Sequence, residues 1–265
     1  PHGEKRVVGL PQRGERVVAR RSGFGHRFRR LGTDHQIVPV ARKPVNPRRP
    51  WSLLPNPRTI RRMPPDHPAA LADVVVIELA TNVAGPYCGK LLADLGALVI
   101  KVEPPAGDPL RHKPPLAGAE SAFFNYLNTN KLGVRLEPGS PDLDLLLARA
   151  DVVIHSSTGP EAEALEARAA SLAPAAAVIS LSPYGRSGPR AGWLATPFTE
   201  WATSGFFGIA GDPAREPLSL PGFQAEFHAG MHAGLAALAA LRHARRTGEG
   251  QRIELSHQEA CLSDH

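Results

Sequence analysis

The stretch from Val74 to Glu103, VVVIELATNVAGPYCGKLLADLGALVIKVE, limits what this chain can fold into more than any other segment. Its first apolar run, Val74–Leu79, is rich in β-branched residues and has the length of a buried strand. A tight Asn-Val-Ala-Gly-Pro turn follows, then apolar residues at helical spacing over Pro86–Leu95, then a second buried strand at Leu98–Val102. The result is one βαβ unit, which demands parallel strands joined by a right-handed crossover. The turn faces the carboxyl end of the first strand, where open α/β sheets bind nucleotide-like ligands against a helix N-terminus. It lacks the three-glycine dinucleotide fingerprint, which disfavours an ordinary NAD site and leaves a phosphate-bearing ligand of another kind.

The alternation continues downstream. Further strands are signalled at Gly133–Leu136, Asp151–His155 and Ala177–Ser182, with helical patterns at Pro141–Ala150 and Glu161–Ala173. Longer helical patterns cover Pro197–Ile209 and Gln224–Arg246, the second stopped by Gly248 with arginines in its last turn. The fold class is therefore α/β, a Rossmann-like parallel sheet with flanking helices over residues 71–250. A last strand, Gln251–Ser256, reads as the start of a linker to a second, small domain spanning 251–265 and left incomplete.

Charge is unevenly distributed. Residues 1–70 carry 16 Lys/Arg against 4 Asp/Glu, a balance of +12, whereas residues 71–265 carry 15 against 21, a balance of −6. The high pI belongs to the first segment, and an acidic folded part argues against nucleic-acid binding. Residues 1–70 are rich in Arg and Pro and lack a sustained apolar period, so they read as a mostly disordered extension. Their few serines fit a misassigned start or a non-native extension better than an organellar leader. The chain begins with Pro, as a fragment or processed product would. Two cysteines fit a reducing, cytoplasmic setting, and no apolar run reaches the roughly 18 residues of a membrane span.

Six ordered pieces carry a resemblance. They are IELATNVAGPYCGKLLADLGALVIKVEPPAGDPLR, SAFFNYLNTNKLGVRLE, ADVVIHSSTGP, ISLSPYGRSGP, ATSGFFGIAGDP and AGMHAGLAALAALRHARRTGEGQRIELS. Together they resemble the family III CoA-transferases, the group of formyl-CoA and carnitine CoA-transferases, over residues 71–265. The resemblance implies a CoA-binding large domain, a small domain downstream and an interlocked homodimer. It also implies transfer of CoA from an acyl-CoA to a small carboxylic acid. An aspartate would attack the thioester to give a mixed anhydride, and CoA would return through an aspartyl thioester.

Carried over residue by residue, the resemblance places CoA contacts at Asn82, Val83 and Ala84, at Arg111, and at Lys131 and Leu136 near the adenosine end. His155 and Ser156 are also placed among the CoA contacts, standing where formyl-CoA transferase has Asn-Phe; Glu163 replaces an arginine, and Ser182 replaces a lysine. With the family's Gly-Pro-Pro turn set on Gly211–Pro217, the nucleophile falls on Ala214, which cannot attack. Asp212 lies two residues before it and Glu216 two after; Asp212 is the first candidate, although both also read as solvated turn residues. Two alternatives follow: a degenerate scaffold domain without a nucleophile, and a 2-methylacyl-CoA racemase relying on Thr196 and Glu226. Thr196 is no base near neutral pH, which ranks the racemase last. His228 and His232 have the i, i+4 spacing of metal ligands but no third partner in the sequence, so no metal is expected.

Overall fold

The computed structural model describes residues 18–21, 24–27, 38–39 and 69–263. The chain divides into two units, Pro1–Gln36 and Ile37–His265. In the first, β1 (Val18–Arg21) and β2 (Phe24–Arg27) pair antiparallel. The expectation of a mostly disordered extension over 1–70 otherwise lies outside the described residues.

The second unit runs β3 (Val38–Pro39), β4 (Val75–Glu78), α1 (Ala84–Asp94), β5 (Leu98–Glu103), β6 (Leu116–Ala117), β7 (Glu120–Ser121), α2 (Ala122–Leu127) and β8 (Leu132–Arg135). It continues with α3 (Pro141–Leu147), β9 (Val152–His155), α4 (Gly159–Leu172), β10 (Ala177–Ser182), α5 (Pro197–Thr203), α6 (Gln224–Thr247), β11 (Arg252–Ser256) and α7 (His257–Leu262). Its main sheet has the order β11-β10-β9-β4-β5-β8-β3. Every pairing is parallel except that of β3 with β8. From β4 the chain winds outward through β5 to β8, then returns to β9 on the other side of β4. Strand order therefore reverses between β4 and β9, the crevice where such sheets bind ligands.

Alternation along the strands divides the core between two faces. Val76, Val99, Val152, Ile154, Ile179 and Leu181 point to one face and form a single cluster with α1 and α6. Their neighbours, such as Ile77, Val153 and Val178, are equally buried on the other, where Ala167 and Ala170 of α4 line a groove with Val178. Both faces are covered, which is why these strands read as continuous apolar runs. Helix α6 presents a stripe of small residues, Ala225, Ala229, Ala233 and Ala237, at intervals of one turn, all fully buried.

The elements differ from expectation in two places. The helix expected over Pro197–Ile209 ends at Thr203, because Gly205 adopts φ +88° and diverts the chain into a short 3-10 turn, Phe206–Gly208. Helix α7 is capped by Ser256, whose Oγ accepts from the Glu259 amide, a Ser-x-x-Glu capping pattern that the apolar period does not announce. Strand β11, within the strand expected at Gln251–Ser256, pairs in parallel with β10 at the edge of the main sheet.

Candidate active site at the switch point

The β4–α1 turn opens onto the switch point. Val83, the residue before α1, adopts a helical conformation and offers no side-chain cap, and no acidic residue occupies the first turn. Main-chain N–H groups of the helix start thus remain for an anion, on the positive end of the helix dipole. Asn82 Oδ1 is buried beside them without a hydrogen-bond partner among the described residues. The turn is tight because Gly85 has no side chain: a Cβ there would lie 2.2 Å from Ala80 Cβ.

Beneath the turn lies an enclosed set of charges. Glu78 ends β4, Lys101 lies on β5, Asp108 follows β5 and Lys131 precedes β8, all with side chains 0% exposed. Lys101 Nζ is 3.1 Å from Glu78 Oε1 and 2.8 Å from Asp108 Oδ2, and it donates to the Ala80 carbonyl at 2.9 Å. Lys131 Nζ is 2.7 Å from Glu78 Oε2 and donates to the Pro86 carbonyl at 2.7 Å and to Asn128 Oδ1 at 2.9 Å. Two cations facing two anions make this burial tolerable. Burial pulls the Lys101 ammonium down, but Glu78 and Asp108 outweigh it and leave it above its ordinary value. Burial brings Lys131 to about 8, with Glu78 opposing and Lys101 adding to the fall. The two lysines hold the carbonyls of Ala80 and Pro86, on either side of the turn, and so fix its shape. Cys88 sits alongside, its thiol pushed up to about 12 by burial and then by Glu78, so it is no nucleophile near neutral pH.

Arg111 lies at the rim. Its Nε and Nη2 reach the Glu103 carboxylate at 2.7 and 2.6 Å, and its guanidinium lies 4.3 Å from the centre of the Phe124 ring. Burial would raise the Glu103 carboxyl, but Arg111 and the Asp108 amide hold it below the usual carboxylate range.

The start of α6 forms the opposite wall. Gly230 packs so closely on α1 that a Cβ there would lie 2.7 Å from the Ala84 carbonyl oxygen. One turn earlier, on the same side of the helix, is Glu226. Its neighbours Phe223 and Phe227 pack on the cluster of Val83, Leu110, Phe124 and Leu127, with Phe227 edge-on to Tyr87 at 4.7 Å. Glu226 is 9% exposed. Burial, and after it the charge of Glu200, pushes its carboxyl up to about 7, against the pull of its own amide and of Lys113. Glu200, on α5, pairs with His257 Nδ1 at 2.9 Å, and both are buried.

Residues 71–263 match the family model described as CoA-transferase family III. The chain belongs to CoA-transferase family III. It is similar to a succinate–glutarate CoA-transferase of Agrobacterium fabrum, 32% identical over 211 residues that cover 72% of this chain and 52% of that protein. It is similar as well to a succinyl-CoA–D-citramalate CoA-transferase of Chloroflexus aurantiacus, 33% identical over 212 residues, 74% of this chain and 51% of that one. The chain thus spans about half the length of these curated relatives. Among solved structures it resembles a CAIB/BAIF family protein from Brucella suis, with 29% identity and a TM-score of 0.68 over 74% of this chain and 55% of that one.

In this family III chain, Asn82, Val83 and Ala84 stand at the switch point, Arg111 is half-exposed at its rim, and Ser156 follows β9, the strand beside β4. Three other expected contacts turn inward. Lys131 is locked into the charge network. Leu136 is buried, its amide bonded to the Glu103 carbonyl at 3.0 Å. His155 is fully buried with Nε2 3.1 Å from Glu166 Oε1, a carboxylate that also holds Arg186 and Arg252. Burial lowers the His155 pKa despite Glu166. All three side chains are enclosed by protein in this structure.

Asp212, Ala214 and Glu216 lie on an exposed loop, where Asp212 Oδ1 accepts the Ala214 amide at 2.9 Å and so closes its own turn. Thr196 caps α5 in a reciprocal pair with Thr199. The His228 ring lies edge-on to Trp201 at 5.5 Å, and His232 Nε2 is 3.4 Å from Ser263 Oγ. Among the described residues no group of three His, Cys, Asp or Glu could hold a metal ion, and no helix is long and apolar enough to cross a membrane. Glu78, Lys101, Asp108, Glu200 and His257 were not singled out by the sequence. The one available signal was charge inside buried strands, as in Ile77-Glu78 and Ile100-Lys101.

Proposed function

We propose that this protein moves CoA from an acyl-CoA to a carboxylic acid, with Glu226 as the carboxylate that carries the covalent intermediate. What supports this reading above all is a nearly buried carboxylate, Glu226, at a helix start packed against the ligand-facing turn at the switch point. The exposed Asp212 and Glu216 have no such setting. The diphosphate of CoA fits the uncapped start of α1, with Arg111 at the rim adding a positive charge. Asn82 Oδ1, buried without a partner among the described residues, can accept a hydrogen bond from an N–H or O–H group of CoA.

In the first step the Glu226 oxygen bonds to the thioester carbonyl carbon, the C–S bond breaks, and a mixed anhydride and CoA thiolate result. The thiolate then attacks the glutamyl carbonyl, releasing the donor acid and leaving CoA on Glu226 as a thioester. The acceptor carboxylate reverses both steps and regenerates Glu226. A carboxylate suits this sequence because it is both nucleophile and leaving group. The aromatic wall of Phe223, Phe227 and Tyr87 keeps water from the anhydride. The succinyl donors named for the similar proteins make a succinyl thioester the first donor to test.

The intact protein is incubated with succinyl-CoA and hydroxylamine, digested and mapped by mass spectrometry. A glutamyl hydroxamate is expected at Glu226 and is lost in Glu226→Gln. Label at Asp212 or Glu216, or none at any carboxylate, would refute the assignment.

A further inference from the structure

Two cations stand at the rim of the site, and only one of them is committed. Arg111 holds the Glu103 carboxylate through hydrogen bonds of 2.7 and 2.6 Å. Lys113, which closes the short 3-10 turn Pro109–His112, has no carboxylate partner among the described residues. Its main chain is fixed: the amide donates to the Leu110 carbonyl at 3.1 Å, and the carbonyl accepts from Ser121 Oγ at 2.5 Å. Its ammonium lies 4.2 Å from the centre of the Phe223 ring. A ring face attracts a cation without neutralising it, so the charge remains available. Phe223 precedes α6 and lies three positions before Glu226, on the same side of the helix start. The charge of Lys113 reaches that carboxyl: burial and then Glu200 raise it, whereas its own amide and Lys113 pull it down. The wall beside them is aromatic. Phe123 stacks on Phe223 at 5.4 Å and meets Phe227 edge-on at 6.3 Å, and Tyr87 meets Phe227 edge-on at 4.7 Å. All four rings are only partly buried, so they offer apolar surface to an entering chain. A carboxylate nucleophile, an apolar wall and an uncommitted cation match a molecule with three corresponding parts: a thioester carbonyl, a short methylene chain and a second carboxylate.

We propose that Lys113 makes this site selective for dicarboxylic acids, holding the far carboxylate of the acyl group while Glu226 meets the thioester carbon. This rests on the reading of Glu226 as the nucleophile. A second carboxylate entering beside Glu226 meets a like charge, and the rings strip water from it; a nearby cation offsets both costs. A monocarboxylic acyl chain of the same length covers the same wall but leaves the ammonium with its ring alone. Selectivity is that difference in affinity. The acceptor acid, which takes the acyl group's place in the second half of the reaction, is chosen by the same contact.

Two unreactive thioethers of CoA isolate the contact. S-(3-carboxypropyl)-CoA and S-butyl-CoA differ only in ending their chain with a carboxylate or a methyl group. Their dissociation constants are measured by titration calorimetry on the intact protein. The wild type should hold the carboxypropyl compound about 10- to 100-fold more tightly, the usual worth of a hydrogen bond to a charged group. Lys113→Met keeps an apolar stem against Phe223 but loses the charge, and should bring the two constants within about threefold of each other. Lys113→Arg restores the charge and should recover most of the preference. Equal affinities in the wild type overturn the inference. So does a preference that survives in Lys113→Met, including an equal loss for both compounds, which would place Lys113 on the phosphates of CoA instead. Hydroxylamine trapping reports on Glu226 separately. A preference that depends on Lys113 without label at Glu226 supports the selectivity and refutes the nucleophile; label at Glu226 without the preference does the reverse.

Discussion

Three glycines in two helices give a test of whether the enclosed charges shape the site. Replacing Gly by Ala inside a helix ordinarily stabilises it by up to about 1 kcal/mol. At Gly89 of α1, however, the new Cβ would lie 2.0 Å from Glu78 Oε2 and 3.3 Å from Lys131 Nζ. Glu78 cannot swing away freely, because Lys101 and Lys131 hold its two oxygens inside the protein. Displacing it breaks a buried pair at a cost of ~3–5 kcal/mol, so the net loss should be roughly 2–4 kcal/mol. For a domain of this size that corresponds to a fall in Tm of about 4–16 °C. Gly230→Ala pushes a Cβ to 2.7 Å from a main-chain oxygen, which cannot rotate aside, and should cost ~1–3 kcal/mol by forcing α1 and α6 apart. Gly234→Ala, one turn further along α6, meets only Leu91 Cδ1 at 3.5 Å and should be neutral or mildly stabilising. Thermal unfolding followed by circular dichroism ranks the three. The reasoning fails if Gly89→Ala is as stable as the wild type, or if Gly234→Ala falls as far as Gly89→Ala.

Lys101→Met removes the cation that Glu78 and Asp108 share and should cost ~3–5 kcal/mol by urea unfolding. Asp73→Ala, which breaks an exposed pair with Arg245, should cost under about 1 kcal/mol, and equal losses in the two variants would refute the weight given to burial. Glu226 should make stability depend on pH. Its folded carboxyl titrates near 7 against an ordinary 4.5, so the folded state holds its proton longer than the unfolded chain does. Stability should then fall as pH rises from 4.5 through 7, by an amount on the order of 3 kcal/mol once the loss is complete. Glu226→Gln lacks that slope, so its advantage over the wild type should grow between pH 5 and 8 in paired urea titrations. A constant difference would mean that the carboxyl is not perturbed.

The frame of this protein was legible in its sequence because the signals for it are local. Val74–Leu79 and Ala177–Ser182 announce buried strands through their own composition, and Gly248 ends α6 with φ +78°, as its position after an Arg-rich turn predicts. The candidate site was less legible because its chemistry lies in pairings between distant residues. Glu200 and His257 are 57 positions apart and become partners only when α5 and α7 dock on the same end of α6. Lys131 looked like a ligand contact by the family resemblance. Its ammonium instead crosses to Pro86, 45 positions earlier, because Glu78 is there to neutralise it. The resemblance also pointed to Asp212, two residues from the position it gives the nucleophile, and brought in Glu226 only for the racemase alternative. Packing separates the two: Asp212 lies on an exposed turn, whereas Glu226 is nearly buried on α6, one turn before the close approach of Gly230 to α1. What a carboxylate can do here depends on which helix end it faces and how much water it keeps, and Gly230, one turn after Glu226, lets this end of α6 approach the Ala84 carbonyl closely.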